Sequence, residues 1–130
     1  MKNTTKFLVA SALAVVACAT AAPGLAQASS DEPTVGDQIT YRFYSDVADN
    51  ESSNWFDADN DMASFDNTHL PKRLKNGHYY GQQSLTSRST YQLTAASIQT
   101  NGYYAACEVW VNGVEVSEDS ATGRYAVAVC

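Results

Sequence analysis

Apolar and polar residues alternate with a period of two along much of the chain after residue 37. Ile39, Tyr41 and Phe43 alternate with polar neighbours. This pattern predicts a half-buried β-strand, because successive side chains of a strand point to opposite faces. The strongest alternating run is 103–111, with Tyr103, Ala105, Cys107, Val109 and Val111 on one side. Asn112-Gly113 follows at once and predicts a hairpin, since a type I′ turn needs positive φ at both central residues.

Shorter runs between turn signals predict the remaining strands. These lie at 54–57, 62–65, 79–86, 89–99, 114–116 and 125–129, with Tyr91, Leu93 and Ala95 on one face of the run 89–99. The polar, acidic segment 45–52 is expected to be a loop, and no segment after residue 37 has helical periodicity. Seven or eight short strands separated by frequent turns are typical of an all-β fold, here a small β-sandwich.

The first 28 residues have a different pattern, which is typical of a secretory signal. Lys2 and Lys6 precede an apolar run at 7–16, and Ala26-Gln27-Ala28 offers small residues at the two positions that signal peptidase reads. We therefore predict three segments: a signal peptide at 1–28, a flexible leader at 29–37 and a single domain at 38–130.

A second interpretation of the N-terminus stays open. Val15-Val16-Ala17-Cys18 resembles a bacterial lipobox, in which the cysteine is lipidated and becomes the first residue of the mature protein. Cleavage after Ala28 predicts a secreted protein, whereas lipidation of Cys18 predicts one anchored to the cell envelope. Both interpretations place the domain outside the cytoplasmic membrane.

The charge of the mature chain argues against two kinds of partner. Without Lys2 and Lys6, 6 basic residues remain against 14 acidic ones, which gives a net charge of −8. A surface of this sign repels phosphate groups. We therefore expect no binding to nucleic acid and no docking on anionic lipid headgroups.

Two cysteines follow the predicted signal, and they allow one pairing. A Cys107–Cys130 bridge is expected in an oxidising compartment if the two residues lie close together. In a plain meander of the last three strands they would be two strand spacings apart, about 9.6 Å, which is too far for a bridge. The last strand is therefore expected either beside the strand of Cys107 on its other edge or across the sandwich.

Residues that would support a metal site or catalysis lack the required companions. Three aspartates alternate in one turn, Asp57, Asp59 and Asp61. Met62 stands where a calcium loop needs glycine, so a solvated acidic turn is the favoured interpretation. His69 and His78 have no further histidine or cysteine at ligand spacing. The chain also has no Gly-x-Ser-x-Gly motif. We expect no enzymatic activity, no cofactor and no metal site, and weak calcium binding at the three aspartates stays an open alternative.

Aromatic residues are the better candidates for a binding surface. Tyr79-Tyr80 and Tyr103-Tyr104 are adjacent pairs, so within a strand one member of each pair must face outward. Exposed tyrosine and tryptophan are common at recognition surfaces. The candidate binding residues are Trp55, Tyr79, Tyr80, Tyr103 and Trp110. The alternative is an aromatic sheet face that the segment 67–77 merely covers.

The C-terminal third resembles a known family. The run Cys107-Glu108-Val109-Trp110-Val111-Asn112-Gly113, followed by Ala121-Thr122-Gly123 and a terminal Cys130, is similar to the MmpS family of transport accessory proteins. The segment Trp55 to Met62 looks like the aspartate-rich turn of that family.

The resemblance implies an immunoglobulin-like β-sandwich with the two cysteines bridged. It also implies a non-enzymatic envelope protein whose partner is an MmpL-type exporter, or the lipids and siderophores that such exporters move. Two alternatives remain. One is a secreted binding module for another protein or a surface glycan, and the other is a small hydrolase.

Overall fold

The computed structural model describes residues 32–130, and within them all regular structure is β-strand. The predicted signal segment and Cys18 lie outside these residues. The nine strands are β1 (Gln38–Ser45), β2 (Asp49–Phe56), β3 (Met62–His69), β4 (Lys72–Arg73), β5 (Tyr79–Thr86), β6 (Ala96–Gln99), β7 (Tyr104–Val111), β8 (Val114–Thr122) and β9 (Val127–Val129). None of the described residues forms a helix of the length and apolarity that crossing a membrane requires.

The strands form two antiparallel sheets that share one core. One sheet has five strands in the order β4-β5-β1-β7-β8, and the other has four in the order β3-β2-β6-β9. The predicted all-β fold is confirmed. So is the hairpin between β7 and β8, because Asn112 and Gly113 have φ values of 50° and 83°.

The core lies between the central strands of the two sheets. β1 and β7 contribute Ile39, Tyr41, Phe43, Ala105, Cys107, Val109 and Val111, and the other sheet contributes Ala96, Ile98 and Ala128. Each large aliphatic side chain buried here stabilises the fold by about 1.5–3 kcal/mol. The buried hydroxyl of Tyr41 donates a hydrogen bond to the carbonyl of Phe56 at 2.8 Å. Burial and the nearby charge of Asp57 raise the pKa of Tyr41 well above its ordinary value.

A disulfide joins the two sheets. It links Cys107 in β7 to Cys130, which directly follows β9, with the Cα atoms 6.2 Å apart. β9 pairs with β6 in the four-stranded sheet, so the last strand lies across the sandwich from β7. The predicted bridge and the exclusion of a plain meander are both confirmed. Closing a loop of about 24 residues contributes roughly 3 kcal/mol by restricting the unfolded chain.

The strand predicted at 89–99 is wrong except for its last four residues. The side chain of Gln92 is fully buried, and its amide nitrogen donates to the carbonyls of Asp57 and Leu93, both at 2.8 Å. Its amide oxygen accepts from the hydroxyl of Ser87 at 2.6 Å. The segment therefore packs as a loop around one polar side chain, and Tyr91 is exposed.

The loop predicted at 45–52 is too long, because β2 begins at Asp49. Asn50 is fully buried, and its side-chain amide donates to the carbonyls of Val47 and Ala48 at 3.1 and 3.2 Å. These bonds close the turn within the polar segment, so the strand starts earlier than its composition suggests.

Asp46 fixes the loops at one end of the sandwich. Its carboxylate accepts hydrogen bonds from the backbone amides of Tyr103 and Tyr104 at 2.9 and 3.1 Å, and from the hydroxyl of Thr100 at 3.2 Å. A Cβ atom on Gly102 would lie 2.5 Å from this carboxylate, so any other residue there would displace Asp46 from its hydrogen bonds. Burial raises the pKa of Asp46, but these hydrogen bonds outweigh it and hold the pKa below 3.8.

We predict that Asp46→Asn lowers the free energy of unfolding at pH 7 by about 1–2 kcal/mol, because the amides lose a charged acceptor. Since the pKa of Asp46 is lowered in the folded state, its contribution is complete above pH 3.8 and is lost as the pH falls through the folded-state pKa. Urea denaturation at pH 7 and pH 2.5 should therefore show a smaller difference in unfolding free energy between wild type and variant at the lower pH.

Asp66→Asn, in the exposed part of β3, is the control. If Asp46→Asn lowered the unfolding free energy equally at both pH values, the proposed stabilising role of the Asp46 charge would be wrong.

Candidate functional site

The outer face of the five-stranded sheet contains a groove of about 580 Å³. Its floor is formed by Tyr44 of β1 with Ala106 and Glu108 of β7. The turn 74–78 between β4 and β5 forms one wall, and residues 118–120 of β8 form the other. We call this surface the aromatic groove.

Stacked rings line the first wall. The imidazole of His78 stacks on the ring of Tyr104, with the centroids 4.6 Å apart and the planes 22° apart. The turn that carries His78 is closed by two backbone bonds, from the amide of Leu74 to the carbonyl of His78 at 2.7 Å and from the amide of Gly77 to the carbonyl of Leu74 at 3.0 Å. Gly77 has a φ of 92°, which favours glycine. The ring stack is therefore held in place before any ligand arrives.

Glu108 organises the floor. Its carboxylate accepts a hydrogen bond from the indole of Trp110 at 2.8 Å and one from the hydroxyl of Tyr44 at 3.3 Å. The guanidinium of Arg42 lies 3.9 Å from the same carboxylate and 4.5 Å from the Trp110 ring centroid. Burial raises the pKa of Tyr44 to about 12, and the negative charge of Glu108 adds to the effect. Tyr44 therefore stays a neutral hydrogen-bond donor at physiological pH.

The opposite wall is acidic, and the strand register brings two glutamates to facing positions. Glu118 of β8 lies directly opposite Glu108 of β7, and Glu115 lies opposite Trp110 on the same strand pair. Like charges at facing positions of an antiparallel pair destabilise it. Desolvation raises the pKa of Glu115, and the charges of Glu118 and Glu108 raise it further. The groove therefore combines aromatic rings with a concentration of negative charge.

The predicted binding aromatics do not converge on one place. Tyr80 and Trp110 lie on the outer face of the five-stranded sheet, beside Tyr44 and Arg42 respectively. Trp55 and Tyr79 instead pack against the core. Tyr103 precedes β7 in a loop at the end of the sandwich, where 58% of it is exposed.

Sequence reasoning missed the groove residues Tyr44, His78, Tyr104 and Glu108. The alternation in β1 and β7 indicates which of their side chains face outward. It does not indicate that β1 lies between β5 and β7, which is what brings Tyr44 next to Glu108. The turn 74–78 borders the aromatic face and covers only part of it, so the groove stays open between this turn and β8.

Two of the three aspartates in the turn after β2, Asp57 and Asp59, have side chains that are bonded within the protein. The carboxylate of Asp57 accepts the backbone amides of Asp59 and Asp61 at 2.9 and 3.0 Å. Asp59 forms an ion pair with Arg88, whose hydrogen bond lowers the pKa of Asp59. In residues 32–130 no three His, Cys, Asp or Glu side chains are grouped as a metal site requires.

The protein is therefore a small disulfide-bridged β-sandwich with an acidic, aromatic-lined groove on the outer face of one sheet. No family model matches the chain, and no curated protein matches it. The properties of the groove residues are therefore the basis for assigning a function.

We predict that Glu118→Gln stabilises the protein by about 0.3 kcal/mol, because it removes the like-charge pair with Glu108. Urea denaturation should show a larger gain at low ionic strength than in 1 M salt, where the Debye length is only about 3 Å. Glu51→Gln, at an exposed position of β2 in the other sheet, is the matched control. A loss of stability in the Glu118 variant would show that this carboxylate has a favourable partner within the fold.

Proposed function

We propose that this protein is an exported, non-enzymatic binding domain that holds its ligand in the aromatic groove. The bridge between Cys107 and Cys130 supports export, because structural disulfides persist in oxidising compartments. Glu108 supports a binding role over a catalytic one. Its carboxylate accepts hydrogen bonds from Trp110 and Tyr44 and pairs with Arg42, and these interactions maintain the shape of the groove floor.

A single observation carries this proposal. Glu108 and Glu118 occupy facing positions of β7 and β8, and the stacked rings of His78 and Tyr104 lie beside them in the same groove. A positively charged group in the groove would relieve the repulsion between the two carboxylates. A flat apolar face next to that group would pack on the rings, and cations are attracted to tyrosine rings directly. The ligand class is therefore a compound that joins an amine to an apolar ring or sugar face.

A matched pair of sugars tests the proposal. Tetrameric chitosan carries amino groups, whereas tetrameric chitin has the same backbone with the charges removed by acetylation. We expect chitosan to bind at least tenfold more tightly, which corresponds to about 1.4 kcal/mol. A change in tryptophan fluorescence gives the readout, because the indole of Trp110 donates a hydrogen bond to Glu108 at the groove floor, whereas Trp55 packs against the core. An oligolysine peptide is a third ligand that separates a peptide site from a sugar site.

Two groove variants sharpen this test. Glu118→Gln should weaken chitosan binding about fivefold, and Tyr104→Leu should weaken it by a similar factor through loss of the ring face. Glu51→Gln is the control at a carboxylate outside the groove. Equal binding of chitosan and chitin, or unchanged affinity in both groove variants, would reject the groove as a cation-binding site.

The second candidate function is that of an MmpS-type transport accessory protein. The observation that favours it is the structure of residues 107–130, the segment whose sequence resembles the MmpS family. They form the last five residues of β7, the Asn112-Gly113 turn, β8 and β9, and they are closed by the bridge that the resemblance implies. In this role the protein would contact an MmpL-type exporter, or the lipids and siderophores that it moves.

Deletion of the gene distinguishes this candidate, with exported lipids and siderophores profiled by mass spectrometry. The transport role predicts that one exported class falls and that the wild-type gene restores it. Complementation with the Tyr104→Leu variant tests whether the groove takes part. A profile that deletion leaves unchanged would remove the transport role and leave the binding domain standing.

A further inference from the structure

Three exposed residues form a separate cluster in the loops at one end of the sandwich. Arg124 and Tyr125 lie between β8 and β9, and Tyr103 lies just before β7. The guanidinium carbon of Arg124 is 4.4 Å from the ring centroid of Tyr125 and 5.5 Å from that of Tyr103. The guanidinium also donates to the hydroxyl of Tyr125 at 3.0 Å. We call this cluster the tyrosine–arginine tip, and none of its members lines the aromatic groove.

Tyr125 adopts a backbone conformation that its side chain disfavours. Its φ is 58°, in the left-handed region that glycine and asparagine tolerate best. The other non-glycine residues with positive φ in residues 32–130 are all asparagines: Asn60, Asn67 and Asn112. A tyrosine at such a position costs free energy that an asparagine would largely avoid.

The fold imposes this conformation through bonds on both sides of the residue. The amide of Tyr125 donates to the carbonyl of Gly102 at 3.1 Å, and the amide of Ala126 donates to the carbonyl of Gly123 at 3.0 Å. Burial does not compensate for the strain, since 44% of Tyr125 remains exposed. The ring contacts the guanidinium of Arg124. Strained residues of this kind occur preferentially at binding and active sites.

Arg124 keeps donors available for a ligand. Of the five N–H groups of a guanidinium, one donates to Tyr125 at 3.0 Å, and a longer contact of 3.5 Å points to the hydroxyl of Tyr103. Among residues 32–130 no carboxylate lies within 4.0 Å of it, unlike Arg42 and Arg88. A guanidinium edge binds a carboxylate with two parallel hydrogen bonds. The tip therefore presents an oriented anion receptor between two exposed tyrosine rings.

We propose that the tyrosine–arginine tip binds a carboxylate-bearing sugar unit of an acidic polysaccharide. The carboxylate is received by the edge of Arg124, and the apolar C–H face of the sugar ring packs on Tyr103 or Tyr125. An acidic peptide side chain would engage the guanidinium but would leave the tyrosine rings without a flat partner. The site is independent of the aromatic groove and does not rest on the function proposed for it.

Two acidic residues near the tip bear on this binding. The carboxylate of Asp46 lies beside Tyr103, but the backbone amides of Tyr103 and Tyr104 already donate hydrogen bonds to it. Glu118 precedes Thr122, the last residue of β8, by four positions, which is about 13 Å along a strand. That distance exceeds the Debye length of about 8 Å at physiological ionic strength, so the repulsion is largely screened. Binding at the tip should therefore be tested at physiological salt.

The experiment compares tetragalacturonate with its fully methyl-esterified form, by calorimetry on the full-length mature protein. We expect the acid to bind and the ester to bind at least tenfold more weakly. Arg124→Gln should abolish the preference for the acid, and Arg124→Lys should restore only part of it, because lysine keeps the charge without the planar edge.

Tyr125→Asn separates a binding role from a structural one. Asparagine tolerates the positive φ, so we expect the thermal midpoint to rise by about 4 °C while affinity for tetragalacturonate falls at least fivefold. Tyr91→Asn, at a tyrosine of similar exposure in another loop, is the control and should leave the affinity unchanged.

Three results would overturn the proposal. The first is equal binding of the acid and its ester. The second is a fall in the thermal midpoint of Tyr125→Asn, or an unchanged affinity in that variant. The third is binding of tetraglutamate in place of tetragalacturonate, which would make the tip a peptide site.

Discussion

The covalent bond between Cys107 and Cys130 is the constraint on which the C-terminal half of the structure depends. β9 has three residues, and its ladder with β6 extends from Ser97 to Gln99, with further backbone hydrogen bonds between Ala96 and Cys130 and from Thr100 to Ala126. So short a terminal strand would fray if nothing else fixed it. The bridge ties it to β7, a central strand of the opposite sheet. It thereby closes the core over Ala128 and anchors one end of the loop that carries the tip.

The same bond helps to set which side chains of β7 face solvent. Neighbouring residues of a strand point to opposite faces, so a shift of one residue would exchange the core and the surface. Cys107 must point inward to reach Cys130, which turns Tyr104, Glu108 and Trp110 outward. The aromatic groove is therefore the outer side of the strand whose inner side holds the two sheets together.

Features that depend on residues close together along the chain could be predicted from the sequence, whereas features that depend on distant residues could not. Alternation, the Asn112-Gly113 turn and the cysteine pair depend on local geometry or on a single distance, and they led to β7, its hairpin and the crossing of the last strand. The segment 89–95 could not be predicted, because Gln92 is buried by contacts with Asp57, 35 residues away along the chain. The groove depends on β1 lying between β5 and β7, an order that no local pattern contains.

Each of the two candidate sites contains a residue whose local conformation or charge is unfavourable for the fold. Glu118 faces a like charge across the β7–β8 pair, and Tyr125 adopts a backbone conformation better suited to asparagine. Unfavourable residues of this kind are expected at functional positions. Elsewhere the backbone preferences, packing and charges of a sequence tend to favour the same fold. A domain of this size has little stability to spare. The roughly 3 kcal/mol that the bridge contributes is larger than the local costs expected at these two sites. A small sandwich can therefore tolerate them on the strands and loops that the bridge anchors.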